Sequence, residues 1–262
     1  MEGKQVIGII GGTGISAELL ENAKEQKVET PYGAPSDSIF TGSIAGKKVA
    51  FVPRHGRKHT INPSNVNYRA NVFALKKIGV RRIIAPCAVG SLRKEITPGS
   101  FVFPDQFIDF TKSRKNTFFD AEVVAHASMS KPFCSETRAI MIGVAKRLGI
   151  ECHEKGTNIV VEGPRFSSVP ESRMFRQWGA DTINMTMMPE AGLAREAELC
   201  YCPVAMVTDY DNFSEHRVDL AEVLGTMRAN AENFRKLVAE AVKEIPEERK
   251  CGCGSAMQGA KI

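Results

Sequence analysis

The sequence predicts an α/β domain, and three observations carry that prediction. Short apolar runs such as Val6–Ile10, Thr157–Val161 and Leu199–Val207 have the length of strands and end in glycine-rich or polar loops. Between them lie stretches with helical spacing, the longest from Leu220 to Ile245. No Pro/Ser-rich or charge-block linker divides the 262 residues, so one large domain is favoured over two small ones. Residues 1–246 are assigned to that domain. Residues 247–262, containing Gly and Cys, are assigned to a tail expected to be mobile.

Val6-Ile-Gly-Ile-Ile leads straight into Gly11-Gly-Thr-Gly14. A strand ending in such a turn brings backbone N–H groups and the Thr13 hydroxyl near an anion. Gly8, Gly11 and Gly14 also have the spacing of a dinucleotide fingerprint. The acidic residue that should accompany it would fall near Glu29, in a loop pattern, so phosphate is the favoured ligand. Ile39–Ile44 and Lys48–Val52 read as a hairpin turning at Ala45-Gly46. The second strand runs into Pro53-Arg-His-Gly-Arg-Lys-His59, where Arg54 and His55 suit an oxyanion. The plain alternative is a solvated basic loop.

Pro63–Ile78 has a helical apolar face and stops at Gly79. Arg82–Cys87 reads as a strand, followed by a tight small-residue turn over Ala88–Arg93 where backbone N–H groups could again meet a ligand. Phe101–Phe103 opens another strand. Residues 112–132 show no period, and such loops are often functional or lie at interfaces. His126 and Met129 are its residues of interest. Ser135–Gly149 is an amphipathic helix.

After Val161 the chain passes through Glu162-Gly-Pro-Arg-Phe-Ser-Ser to a helix over Glu171–Trp178. A charge, an aromatic face and a hydroxyl at the carboxyl end of a strand suit a small polar ring. The bland reading is a polar turn with one ion pair. Ala180–Thr186 is a strand ending in Asn184, Met185 and Thr186, and Pro189–Ala197 is a short helix with Glu190 and Arg195. The apolar strand Leu199–Val207 ends in Thr208-Asp-Tyr-Asp-Asn212, whose carboxylates project to one side if the strand continues. A metal site, a general acid and a helix cap remain open for that pair. The metal comes last, because no third oxygen ligand follows at calcium-loop spacing.

The net charge of +5, from 35 basic and 30 acidic residues, is too mild and scattered for nucleic acid but suits an anionic substrate. No signal-peptide pattern or long apolar segment is visible, so a cytoplasmic protein without membrane contact is expected. Seven cysteines in such a chain normally mean reduced thiols. The pair Cys251-Gly-Cys253 is unusual for a reduced protein. With no His or second cysteine pair nearby in sequence, no metal site is expected. If the protein is oxidised, Cys251–Cys253 is one candidate pair, and Cys134 with Cys200 or Cys202 another.

Four separated motifs share one resemblance. Ile9-Ile-Gly-Gly-Thr-Gly, Arg54-His-Gly-Arg with His59 and Asn67-Tyr68, Glu162-Gly-Pro-Arg-Phe-Ser-Ser, and Trp178-Gly-Ala-Asp to Asn184-Met-Thr with Thr208-Asp-Tyr-Asp stand in the order of the trimeric purine nucleoside phosphorylases. The likeness is to their methylthioadenosine-cleaving branch and runs from about Val6 to Ile245. It implies a three-layer α/β sandwich with a central mixed sheet, and a homotrimer or dimer of trimers with active sites at subunit boundaries. It implies phosphorolysis of 5′-methylthioadenosine to adenine and 5-methylthioribose 1-phosphate, a purine and methionine salvage step, with phosphate as co-substrate and no cofactor. Carried over by motif, Thr13, Arg54, His55, Cys87, Ala88 and Thr186 would bind phosphate. Phe166, Ser167, Asp209 and Asp211 would surround the base. Met185 would pack on the ribose. His59, Leu220, Val223 and Leu224 would line the 5′ pocket, with His126 entering from a neighbouring subunit. Cys87 stands where better-known animal members have threonine, and a thiol is a weaker donor than a hydroxyl.

Breaking the C1′–N9 bond leaves positive charge on the sugar and negative charge on the base. Phosphate held by Arg54 would stabilise the cation and then capture it. Asp209, with a pKa raised by burial, would protonate or hydrogen-bond the departing purine. Asp209 and Arg54 are therefore the candidate catalytic residues. The alternatives are phosphorolysis of 6-oxopurine nucleosides (methylthioinosine, inosine or guanosine), a non-catalytic nucleotide-binding protein, and an interaction protein built on an inactive enzyme.

Overall fold

The computed structural model describes residues 5–212 and 220–262. The chain opens with β1 (Val6–Gly11), buried from Ile7 onward. It continues through β2 (Glu21–Gln26), β3 (Ile39–Ile44), β4 (Lys47–Pro53), α1 (Tyr68–Lys77) and the long β5 (Val80–Ser91). Next come β6 (Phe101–Val102), β7 (Gln106–Phe110), α2 (Ser135–Arg147), β8 (Cys152–His153) and β9 (Thr157–Val161). The last third holds α3 (Val169–Gln177), β10 (Thr182–Asn184), α4 (Met187–Glu196), β11 (Cys200–Tyr210) and α5 (Leu220–Glu244).

The strands form one mixed sheet in the order β2-β3-β4-β1-β5-β10-β9-β7. It forks at β5, which also pairs in parallel with β11, and β6 and β8 extend that branch. β1 lies parallel to β4 and β5, whereas β10 meets the far end of β5 antiparallel, at Gly90 and Ser91. β11 shows why the sheet is covered on both faces. Tyr201, Ala205 and Val207 join one apolar cluster with Val72 and Leu75 of α1 and Leu193 of α4. The alternate residues Cys202, Val204 and Met206 join a second cluster with Met141 and Val144 of α2 and Phe234 and Leu237 of α5. Period-two alternation thus serves two helical layers, giving a three-layer α/β sandwich.

The glycine turn after β1 leads into a single 3-10 turn, Ala17–Leu19, and then the exposed edge strand β2. A dinucleotide site would need an α-helix N-terminus there. β2 is polar and exposed at every residue, so hydrophobic patterning misses it. The expected turn over Ala88–Arg93 is instead strand through Ser91, held between β11 and β10.

The tail also differs from expectation. Buried Arg82 donates to the carbonyls of Pro246 and Glu248, Arg249 donates to Glu198 O, and Cys253 is buried. Lys261 bridges to Ala125. These polar and thiol anchors replace the apolar ones that mark an ordered segment in sequence. The fold also groups cysteines that are distant in sequence: the chain before α2 and β11 bring Cys134 and Cys200 to the tail, and the sulfurs of Cys134, Cys200, Cys251 and Cys253 all lie within 4.8 Å of one another, close enough to share a metal ion. Cys202 packs on the opposite face, in the α2/α5 layer, which removes it as a partner for Cys134.

Candidate active site

The carboxyl ends of β1, β4, β5, β9, β10 and β11 converge on a cavity of about 780 Å³. Thr13, Arg54, His55, His59, Cys87, Ala88, Phe166, Ser167, Met185, Thr186, Asp209, Asp211, Val223 and Leu224 all line it. Two predicted residues are absent. The side chain of Leu220 lies outside the described residues. His126 is exposed, its N–H bonded to Ala260 O.

At one end stands Arg54, 1% exposed. Its Nε and one terminal nitrogen donate to the two oxygens of Glu190, each at 2.8 Å, and Glu190 itself is 0% exposed. The Tyr201 hydroxyl donates to the same carboxylate at 2.7 Å. Further Arg54 bonds go to Ile10 O at 3.3 Å and Pro86 O at 3.1 Å. A guanidinium has five N–H groups, so one remains for an anion. Gly12 makes this possible: a Cβ there would lie 2.9 Å from an Arg54 nitrogen and from Pro86 O.

His55 Nδ1 is 2.8 Å from Ile61 O. Burial, reinforced by the Arg54 charge, lowers its pKa to about 4, so the ring is neutral at pH 7 and donates through Nδ1. Its ring stacks against His59, centroids 4.5 Å apart. Burial raises the Cys87 thiol to about 11, and its S–H donates to Val204 O at 3.8 Å. Cys87 lines the cavity, but its proton is directed into the sheet.

At the other end β11 carries an irregularity between Val207 and Asp209; such bulges re-aim side chains at the rims of sites. Asp209 and Asp211 both face the cavity beside Gly90, where a Cβ would stand 3.2 Å from Asp209 Oδ2 and 3.3 Å from Asp211 Cβ. Burial, helped by the nearby Asp211 charge and opposed by the Thr208 hydroxyl, pushes Asp209 up to about 6. Thr208 Oγ1 lies 2.6 Å from Asp209 Oδ1 and 3.2 Å from Val89 O, so its single proton is shared between them. Burial also raises Asp211, which accepts a hydrogen bond from Ser172. Ser167 Oγ and Asn184 Nδ2, both in the cavity wall, are buried without an oxygen or nitrogen partner among the described residues, Asn184 lying against the Cys87 sulfur.

The loop after β9 divides its roles. Phe166 and Ser167 reach the cavity, while Arg165 pairs with Glu171 outside it. Glu162 accepts bonds from Lys112 N, Ser113 and Ser64, which outweigh burial and lower its pKa to about 2. Beside it Arg114, 1% exposed, donates to Glu162 O at 2.7 Å, Met185 O at 2.6 Å and Met188 O at 2.7 Å. It ties the ends of β9 and β10 together around Thr186. Glu190, Arg114 and Met227 belong to the site or its support and were not among the residues predicted. A lone Arg in an aperiodic loop and a Glu inside a helix give no sequence signal; their burial identifies them.

A profile of the phosphorylase superfamily matches residues 6–243. An S-methyl-5′-thioadenosine phosphorylase of Thermofilum pendens is 55% identical over 260 residues, covering 99% of both chains. That of Pyrococcus furiosus is 53% identical over 252 residues, 96% of this chain and 97% of the relative. Among solved structures, a methylthioadenosine phosphorylase from an antarctic soil metagenomic library superposes with a TM-score of 0.92 at 43% identity, covering 99% of this chain and 93% of that one. Methylthioadenosine phosphorylase from Schistosoma mansoni, in complex with adenine, gives 0.90 at 38%, covering 94% and 93%.

Proposed function

The chain belongs to the phosphorylase superfamily, and on that premise we propose that it cleaves 5′-methylthioadenosine with phosphate to give adenine and 5-methylthioribose 1-phosphate. The observation that carries the reading is one cavity with an anchored arginine at one end and a carboxyl raised to about 6 at the other. Phosphate would sit between the free Arg54 N–H, Thr13, the backbone N–H of His55, Ala88 and Thr186. The base would lie against Phe166 and Ser167, with Asp209 hydrogen-bonded to the purine. The ribose would rest on Met185, and the methylthio group would reach His59, Val223 and Leu224.

Cleavage of the C1′–N9 bond moves its electron pair to the base. The Asp209 carboxyl gives its proton to the purine as negative charge develops, and phosphate adds to C1′ from the opposite face. Geometry of this kind acts by stabilising charge at both ends of the breaking bond. Phosphate is the co-substrate, and the chemistry calls for no metal or organic cofactor. With its O–H donated to the purine ring, the other oxygen of Asp209 accepts from a 6-amino group but meets a 6-oxo group acceptor to acceptor unless the proton turns to it, which favours adenine over hypoxanthine or guanine.

The chain works as a homotrimer or dimer of trimers in the cytoplasm. Phe166 and Leu224 at the cavity, and Val123 and Val124 near His126, are exposed apolar side chains, which supports closure by a neighbouring chain that supplies His126. Among the described residues no helix is long and apolar enough to cross a membrane. Cys251–Cys253 and Cys134–Cys200 are the pairs expected if the protein is oxidised; the thiols are free in the structure, with Cys200 and Cys251 3.3 Å apart. The clustered sulfurs support this, and one residue between Cys251 and Cys253 is shorter than the two to four usual between paired zinc ligands. The test of function is to incubate methylthioadenosine and methylthioinosine separately with the protein, with and without phosphate. Adenine released only with phosphate is expected; hypoxanthine as the preferred product would overturn the base assignment.

A further inference from the structure

We propose that Asn184 is a phosphate-binding residue whose side-chain amide donates to the phosphate oxygen lying against Cys87. The inference deepens the reading above and rests on phosphate occupying this end of the cavity. Asn184 is 5% exposed and lines the cavity; its Nδ2 lies against the Cys87 sulfur, a weak acceptor, and has no oxygen or nitrogen acceptor among the described residues. A buried NH2 with only a thiol sulfur to donate to is underpaired, which is destabilising, and a bound anion would supply the stronger acceptor.

The direction of the amide is fixed by a relay through two buried side chains. Thr182 Oγ1 donates to Asn158 Oδ1 at 2.9 Å, and Asn158 Nδ2 donates to Asn184 Oδ1 at 3.0 Å. Asn158 Nδ2 also donates to Ile159 O at 3.1 Å, a carbonyl that can only accept, so reversing that amide would set oxygen against oxygen there. With Asn184 Oδ1 held as acceptor, Nδ2 is the atom left for the cavity. Its neighbour Cys87 sends its proton to Val204 O, so the sulfur is a poor donor at the place where a hydroxyl would otherwise serve. Thr186, two residues along and 7% exposed, lines the same cavity. An N–H here supplies what the thiol does not.

The test measures KM for inorganic phosphate and for methylthioadenosine, together with the rise in Tm that phosphate alone produces. Asn184→Ala should raise the phosphate KM roughly ten- to a hundredfold, the usual effect of losing a hydrogen bond to a charged group. The nucleoside KM should stay within about threefold and the phosphate-induced Tm rise should shrink. Asn184→Asp should be worse, because its carboxylate repels phosphate. Adding Cys87→Thr to Asn184→Ala should recover much of the phosphate KM, a rescue that a purely structural role would not give. If Asn184→Ala does not fold, Asn184→Ser is read in the same way. An unchanged phosphate KM and Tm rise would overturn the proposal, as would an effect confined to the nucleoside KM. If the wild type released no base, the functional reading would fail, yet an Asn184-dependent phosphate shift would still sustain this one.

Discussion

Glu190→Gln removes the countercharge of Arg54 while keeping the shape of the side chain. Arg54 is 1% exposed and Glu190 0%, and the pair is bidentate at 2.8 Å in both contacts. Glutamine keeps one acceptor but turns an NH2 toward a guanidinium N–H, leaving a buried cation with three neutral acceptors, the glutamine carbonyl and two backbone carbonyls, and no countercharge. Breaking one side of a buried pair costs about 3–5 kcal/mol. For a chain of this size that corresponds to a fall in Tm of roughly 6–20 °C. Phosphate supplies a replacement anion, so saturating phosphate should narrow the gap between variant and wild type. The assay is thermal unfolding of both proteins with and without phosphate. A Glu190→Gln protein melting within 2 °C of wild type, or a gap insensitive to phosphate, would refute the view that Glu190 holds Arg54 as a charged phosphate anchor.

Asp209→Asn should lower kcat/KM for methylthioadenosine about 10²- to 10⁴-fold, the range for loss of a general acid, measured as adenine release. Because Asp209 is raised to about 6 and must be protonated to act, kcat/KM should level off below about pH 6 and decline above it; the Asn variant should lack that limb. Arg114→Ala breaks the bonds to Glu162 O, Met185 O and Met188 O, and both Tm and phosphate affinity should fall, as read by thermal shift with phosphate. Reduction should add four hydrogens to the intact mass, two for each disulfide, and lower Tm; an unchanged mass would remove the disulfides.

What the sequence revealed depended on how each residue signals its role. Strands with apolar faces and helices with one apolar stripe were legible, as was the three-layer arrangement once the motifs were seen in register. Polar β2 and the two-residue strand β8 were not, because their pairing is set by neighbours rather than by their own pattern. In the cavity, residues in strand-end motifs were found, Asp209 and Arg54 among them. The supports were not. Glu190 lies inside α4, Arg114 in a loop without period, and Asn184 closes a short strand with its importance visible only in a buried nitrogen that meets no oxygen or nitrogen acceptor. The tail was misjudged because its anchors are Arg82 and a group of thiols distant in sequence.

The central claim is transfer of the sugar to phosphate. The most direct measurement is to follow phosphorus by NMR as the purified protein consumes methylthioadenosine, with adenine quantified in parallel. One sugar 1-phosphate should appear for each adenine released, with inorganic phosphate falling to match. Adenine accompanied by free methylthioribose and unchanged phosphate would make the reaction a hydrolysis and contradict the role given to Arg54 and its partners.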